Sequence, residues 1–414
     1  MVFINEPRHP PGPPQGGNLK VDIPNAIPLN SKTGGHGKVM KHPEILVCDQ
    51  TIREGMQYRG VVFTYDERLE ILKFQESLGV DISQVAYPPA HETERNILHR
   101  LVHQAEEQKC RICIAGLGRA LIRDVDQMIE AGSCEIQIHA VMADRSEDRW
   151  NVDAFLDGLN KVVNHVRSKI RNARIWVSIL DVGRTDTRIL EKCVQFLSRD
   201  LAVEIITLPD TSGIMAPNLL YNRISDIVAL TKESNTRIGV HCHNDMGMAT
   251  ANTVLGAVAG ASVIEVSALG IGERNGIGDL FLAGKALKEQ GYGINLQTDN
   301  LEQFKAYYSY IDRLIRQKTG IGILTYNTPF FGESMQTHVA GTHGARSFGL
   351  EQGENWVLNV LCGKHLVKKY LEKNRIPYPV QLLPEIVDEI KNRSAFLGRS
   401  LSKEDILEII QKIV

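Results

Sequence analysis

From Ile45 to Gly291 the chain alternates between short β-branched runs and longer amphipathic stretches, and this alternation narrows the possible folds more than any other feature. The runs are Ile45–Cys48, Ile82–Ala86, Arg111–Ala115, Glu135–Val141, Ile175–Leu180, Glu204–Leu208, Ile238–His241 and Val263–Ala268. Between them, helical spacing predicts Glu67–Gly79, Thr93–Gln108, Ile122–Gly132, Val152–Lys169, Thr187–Asp200, Pro217–Ser234 and Met248–Gly260. Several of these stop at a glycine, the usual punctuation of a helix end. Strands that alternate with helices build βαβ units and a parallel sheet. Eight such units in this length predict an α/β fold, a (β/α)8 TIM barrel, which typically takes about 250 residues. An open doubly wound sheet is the competing arrangement, but no G-x-G-x-x-G follows the first run.

The alternation stops after Gly291. Helices are expected over Glu302–Thr319, Trp356–Lys373, Leu383–Leu397 and Lys403–Ile413, with a Gly/Pro-punctuated loop from Gly320 to Gly353. The first forty or so residues, rich in Pro, Gly and Asn, show no periodicity. The expected organisation is a flexible arm over 1–42, a catalytic barrel over 43–292, and helical C-terminal subdomains over 293–414.

With 47 Lys plus Arg against 49 Asp plus Glu, there is no electrostatic case for nucleic acid or an anionic membrane as partner. No run nears the roughly 20 apolar residues of a membrane span, and Met1–Gly17 does not read as a secretory signal. Seven cysteines, an odd number lying mostly in apolar segments, fit reduced thiols in a cytoplasm. Cys110 and Cys113 spell C-x-x-C without a second pair, so they make no zinc or redox motif.

In a barrel, reactive groups gather at the C-terminal ends of the strands. The first strand runs into Asp49–Gly55 (DQTIREG), the seventh into His241–Asp245 (HCHND), and the eighth into Gly270–Gly276 (GIGERNG). His241 and His243 lie two apart, so on a strand both imidazoles point to one side. With a carboxylate from strand one they would make a set of two histidines and one carboxylate that leaves room for substrate on the ion. The alternative is one packed and one solvated histidine. Arg53 is either a structural ion-pair partner at the barrel mouth or a cation for a developing enolate or carboxylate oxygen. Glu273 is a candidate catalytic group, or simply the ion-pair partner of Arg274. Arg145 and Arg184, after strands four and five, suit a substrate carboxylate or a solvated rim equally. Asp49 fits a loop-stabilising role, and Asp245 could orient a histidine.

These segments carry a resemblance. DQTIREGMQ, VHCHNDMGMATAN and GIGERNG resemble the strand-one, strand-seven and strand-eight signatures of the DRE-TIM metallolyase superfamily. THVAGTHGA, Thr337–Ala345, resembles the histidine-bearing segment that follows the barrel in 2-isopropylmalate and homocitrate synthases. The likeness spans 45–414. It implies a metal-dependent condensation in which an acyl-CoA, usually acetyl-CoA, attacks a 2-oxo acid and CoA is released by thioester hydrolysis. It implies a divalent cation (Mn2+, Mg2+ or Zn2+) on Glu54, His241 and His243, with Arg53 polarising the keto or thioester oxygen. Gln57 matches a position near the 2-oxo acid, Thr211 matches a polar strand-six end expected to bind substrate, and His343 matches a histidine delivered by the partner subunit of a homodimer for proton transfer.

Three positions depart from the pattern. Gln84 stands where the family has a glutamate after strand two. Ile277 stands where some members place a fourth, asparagine ligand. Glu354 falls at the spacing of a tyrosine beyond the partner histidine. Glutamine cannot ionise but still donates and accepts hydrogen bonds, so a changed substrate pocket, with Gln84 in it, is the expectation. Competing expectations are carbon–carbon cleavage of a 3-hydroxyacyl-CoA and a catalytically altered paralogue.

Overall fold

The computed structural model describes residues 44–141, 151–338 and 355–413. Eight parallel strands close on themselves: β1 (Glu44–Asp49), β2 (Ile82–Ala86), β3 (Cys113–Arg119), β4 (Glu135–Ala140), β5 (Arg174–Ile179), β6 (Ile205–Asp210), β7 (Arg237–Cys242) and β8 (Val263–Val266). Closure is direct, since β1 pairs with both β2 and β8. The expected TIM barrel is therefore what the chain forms. A two-residue strand, β9 (Gly293–Ile294), adds to the start of β1.

The helices in chain order are α1 (Thr51–Gly55), α2 (Tyr65–Ser77), α3 (Glu92–Glu107), α4 (Ile122–Glu130), α5 (Val152–Lys169), α6 (Thr187–Gln195), α7 (Pro217–Thr231), α8 (Ala249–Val258), α9 (Leu280–Glu289), α10 (Leu301–Thr319), α11 (Lys364–Lys373), α12 (Leu383–Leu397) and α13 (Lys403–Ile413). Local chemistry sets their ends. Thr64 and Glu67 form a reciprocal capping box on α2, and Asn151 accepts from the amides of Asp153 and Ala154 to start α5. Among the described residues no helix is long and apolar enough to cross a membrane.

Alternate residues of each strand face the barrel axis. The lower interior is apolar, with Cys48, Ile82, Ala115, Trp176, Ile205 and Val263 packed together. The outward residues pack beneath the helices in one large core that also takes in Phe304, Tyr307, Tyr308 and Ile311 of α10. A second core joins Leu366 and Leu371 of α11, Ile386 and Ile390 of α12, and Ile406 and Ile409 of α13.

Four elements differ from expectation. β3 begins at Cys113 rather than Arg111, because the Glu76 carboxylate takes the amides of Arg111 and Ile112 at 3.0 and 2.8 Å, away from the sheet. The helix expected over Thr187–Asp200 ends as α6 at Gln195 and continues as a wider π turn, Phe196–Asp200. A helix not expected, α9, follows β8, capped by Asp279, which accepts from Leu282 N–H at 2.8 Å. Finally, Asn355–Trp356 pairs as a short strand with Thr337–His338, and α11 starts only at Lys364.

Candidate active site at the barrel mouth

A cavity of about 570 Å³ opens at the C-terminal ends of the strands, the end at which TIM barrels place their chemistry. Its wall includes Arg53, Glu54, Gln57, Thr211, His241, His243 and Glu273, all of them expected site residues, together with His139 and Glu265.

The first strand turns at once into α1, and this turn sets Arg53 and Glu54. Asp49 is fully buried and accepts from the amide (2.8 Å) and hydroxyl (2.5 Å) of Thr51 and from the Tyr307 hydroxyl (3.0 Å). The Thr51 hydroxyl in turn accepts from Ala268 N–H at 2.7 Å, which ties the end of β1 to the end of β8. Asp49 is thus loop-stabilising, as expected. Arg53 ion-pairs with Glu54 and donates to Gln57, to Gln84, and to Gln50 at 3.1 Å. Burial alone would raise the Glu54 carboxyl, but the Arg53 charge, then His241, then the Glu273 amide bring it down to about 2.

His241 and His243 present their Nε2 atoms to one another at 3.3 Å. Parallel register sets His241 opposite Glu265, and His241 Nδ1 lies 3.0 Å from that carboxylate. Glu265 also accepts from Gln50 at 2.6 Å and from the Thr207 hydroxyl at 2.7 Å. Burial favours the neutral acid, but the hydrogen bonds from His241 and from the Thr207 hydroxyl hold the Glu265 carboxyl below its ordinary range. A carboxylate on Nδ1 fixes the tautomer that leaves a lone pair on Nε2. His243 is kept neutral to about pH 3 by burial and by the neighbouring His241, and its Nδ1 is buried without a hydrogen-bond partner. Among the described residues no three His, Cys, Asp or Glu side chains converge at ligand distances; the Glu54 carboxylate is engaged by Arg53 and by Glu273 N–H at 3.1 Å.

The loop after β8 closes the mouth. A Cβ on Gly272 would stand 2.8 Å from Glu54 Cγ, so only glycine lets this loop meet the carboxylate. Gly276, at φ +83°, would place a Cβ 1.8 Å from the Gly270 carbonyl oxygen. Arg274 holds Asp245 through two bonds, 2.7 and 2.9 Å, and donates to the Thr211 carbonyl at 2.6 Å. Glu273 lies 3.6 Å from Arg274 and accepts from Gln57 at 3.3 Å. The Thr211 hydroxyl accepts from Asp181 N–H at 2.9 Å. Ile277 bridges His243 through the backbone, so an apolar side chain stands beside the histidine pair.

Three placements correct or refine expectation. Asp245 serves Arg274; the carboxylate that orients a histidine is Glu265. Gln84 does not line the cavity: it lies buried beneath Arg53, accepts from it and donates to Gln137. Arg184 is also off the cavity wall, paired with Asp181 at 2.7 Å. Arg145, His343 and Glu354 lie outside the described residues. Sequence reasoning missed Glu265 and His139; Glu265 interrupts an apolar strand at an inward position, and His139 follows Glu135 and Gln137 on the inward face of β4. Burial first, then the Arg53 charge, lowers the His139 imidazole to about 3.

Known proteins resemble this chain over most of its length. The family model described as HMGL-like matches residues 44–307. The 2-isopropylmalate synthase of Sulfurisphaera tokodaii is 30% identical over 386 residues, covering 89% of this chain and 96% of that protein. The homocitrate synthase AksA of Methanosarcina acetivorans is 28% identical, covering 89% of this chain and 91% of that protein. Among solved structures, an HMG-CoA lyase of Bacillus subtilis superposes with a TM-score of 0.57 at 17% identity, over 68% of this chain and 96% of that one. That last likeness is one of fold.

Proposed function

We propose, from the premise that this chain belongs to the HMGL-like family, that it condenses an acyl-CoA, acetyl-CoA in the first instance, with a 2-oxo acid. The acyl α-carbon gives up a proton and bonds the keto carbon, whose carbonyl π bond opens to an oxygen that takes up a proton and becomes the 2-hydroxyl. Water then cleaves the thioester, releasing CoA and a 2-hydroxy di- or tricarboxylic acid.

The observation that carries this reading is the pair of imidazoles with facing Nε2 atoms beside Glu54 and Arg53 at the cavity wall. One lone pair fixed by Glu265 and one neutral partner are what two nitrogen ligands of a divalent cation require. Glu54, His241 and His243 would hold the ion, and Glu54 would then be shared between it and Arg53. Such an ion supplies Lewis acidity at a carbonyl oxygen. Arg53 offers its guanidinium to oxygen that gains charge, held in aim by Gln50, Gln57 and Gln84. The amide of Gln84 meets Arg53 without needing to ionise, which supports a working site. Gln57 and Thr211 contribute polar groups on the wall, and Glu273, bonded to Gln57, is a candidate for proton handling. His343 is proposed to come from the partner subunit of a homodimer and to transfer a proton. Free thiols at all seven cysteines suit a cytoplasmic setting.

The test is release of free thiol from acetyl-CoA with a panel of 2-oxo acids and Mg2+ or Mn2+. Release that needs both a 2-oxo acid and the cation is expected. No release with any 2-oxo acid, together with cleavage of a 3-hydroxyacyl-CoA, overturns the proposal in favour of a lyase.

A further inference from the structure

Building on the condensation just proposed, we infer that the 2-oxo acid carries an apolar side chain without a second carboxylate, and that Leu117 and Leu180 select it. The strands close in sequence order, so β5 stands across the barrel from β1, and β3 across from β7. Arg53 and Glu54 follow β1, and His241 and His243 end β7. Facing them across the cavity are Leu180, just past β5, and Leu117 in β3. Ser178 pairs with Thr207, so Leu180 stands level with Pro209, which pairs with His241. One layer of the wall therefore runs from leucine and proline to imidazole.

The charges point the same way. Among the described residues lining the cavity, Arg53 is the single arginine or lysine, against Glu54, Glu94, Glu265 and Glu273. Its guanidinium is already divided between Glu54, Gln50, Gln57 and Gln84. Arg184, after β5, is off the wall and bonded to Asp181. His139 lies a layer deeper than Leu180, paired in register with Ser178, and stays neutral to about pH 3. A 2-oxo acid with one carboxylate can set that end at Arg53 and the histidine pair and its side chain on the leucines. Among the described lining residues a second carboxylate would find no further arginine or lysine, and an ionised group left without a cationic partner in a partly desolvated site is costly.

The experiment uses the full chain with Mg2+ and acetyl-CoA, comparing 3-methyl-2-oxobutanoate, 2-oxobutanoate and 2-oxoglutarate. It reads CoA release and, separately, calorimetric binding of each acid. The apolar acids are expected to exceed 2-oxoglutarate in kcat/KM by about 100-fold, the scale of one unpaired carboxylate. The order of affinities should be the same. CoA release that is as good or better with 2-oxoglutarate overturns the inference and leaves the condensation standing. No CoA release from any acid removes the condensation, and binding then decides: tighter apolar acids support the side-chain preference, while an equal or reversed order, or no binding, overturns it. Leu180→Lys should move the kcat/KM ratio toward 2-oxoglutarate by about 10-fold, and Leu117→Ala should weaken 3-methyl-2-oxobutanoate more than 2-oxobutanoate. Ratios unchanged in both folded variants overturn the assignment to these leucines.

Discussion

His139, in the cavity wall, is desolvated enough and near enough to Arg53 that its imidazole accepts a proton only at about pH 3 instead of 6.5. The unfolded chain takes up that proton near its ordinary pKa, so between these values the unfolded state binds more protons and stability falls as pH falls. At pH 5 the penalty from this one side chain is about 2 kcal/mol relative to pH 7.5, at about 1.4 kcal/mol per pH unit across the window. His139→Gln removes the titration while keeping a polar group. Urea unfolding of both proteins at pH 5 and 7.5 checks it: the wild type should lose about 2 kcal/mol more than the variant. Parallel losses would show that His139 is charged, or free to become so, in the fold. Glu265 makes a related point about position. Its value to His241 comes from register, since the pairing of β7 with β8 sets the two opposite each other. A glutamate inside Val263–Val266 is visible in the sequence, but its partner two dozen residues earlier becomes known only once the strands are aligned.

Elements were legible in proportion to their periodicity. Val152–Lys169 and Leu383–Leu397 have the bounds expected of them, because each carries a sustained apolar stripe and clear end signals. Helix α9 was hidden by Gly276, Gly278 and Gly284, residues that weaken a helical pattern; position 284 needs glycine because a Cβ there would meet Leu296 at 2.5 Å. Helix α1 is five residues long, too short for any period, and what forms it is the network of Asp49, Thr51, Ala268 and Tyr307. That network predicts an unequal pair of substitutions. Thr51→Val keeps the shape but strands the buried Ala268 amide and one donor to Asp49, costing about 2–3 kcal/mol. Thr51→Ser keeps the hydroxyl and should cost well under half as much. Chemical denaturation with metal-binding calorimetry measures both effects, and Thr51→Val should also weaken binding because α1 carries Glu54. Greater destabilisation by Thr51→Ser than by Thr51→Val would mean that the methyl, and not the hydroxyl, holds the turn.

At the scale of the whole molecule, the barrel core reaches into α10, whose Tyr307 and Tyr308 hydroxyls bond Asp49 and Asp279, while α11 to α13 build a core of their own. The strand-end motifs were readable because barrel topology brings distant ends of the chain to one mouth. Which chain supplies His343 is a question of assembly, and no spacing in one sequence answers it. If the homodimer proposed above exchanges this histidine, Glu54→Ala and His343→Ala are each inactive alone, yet each lacks a different half of the shared sites. Co-expressed with different affinity tags, they should assemble mixed dimers in which one site combines an intact Glu54 with the partner's intact His343 while the other site has neither. Random pairing makes half the dimers mixed, so activity should return to about a quarter of wild type. Isolating the doubly tagged species should raise this to about half. Activity that stays at the level of the single variants would mean that each chain uses its own His343, and light scattering on the same samples would separate that outcome from a failure to dimerise.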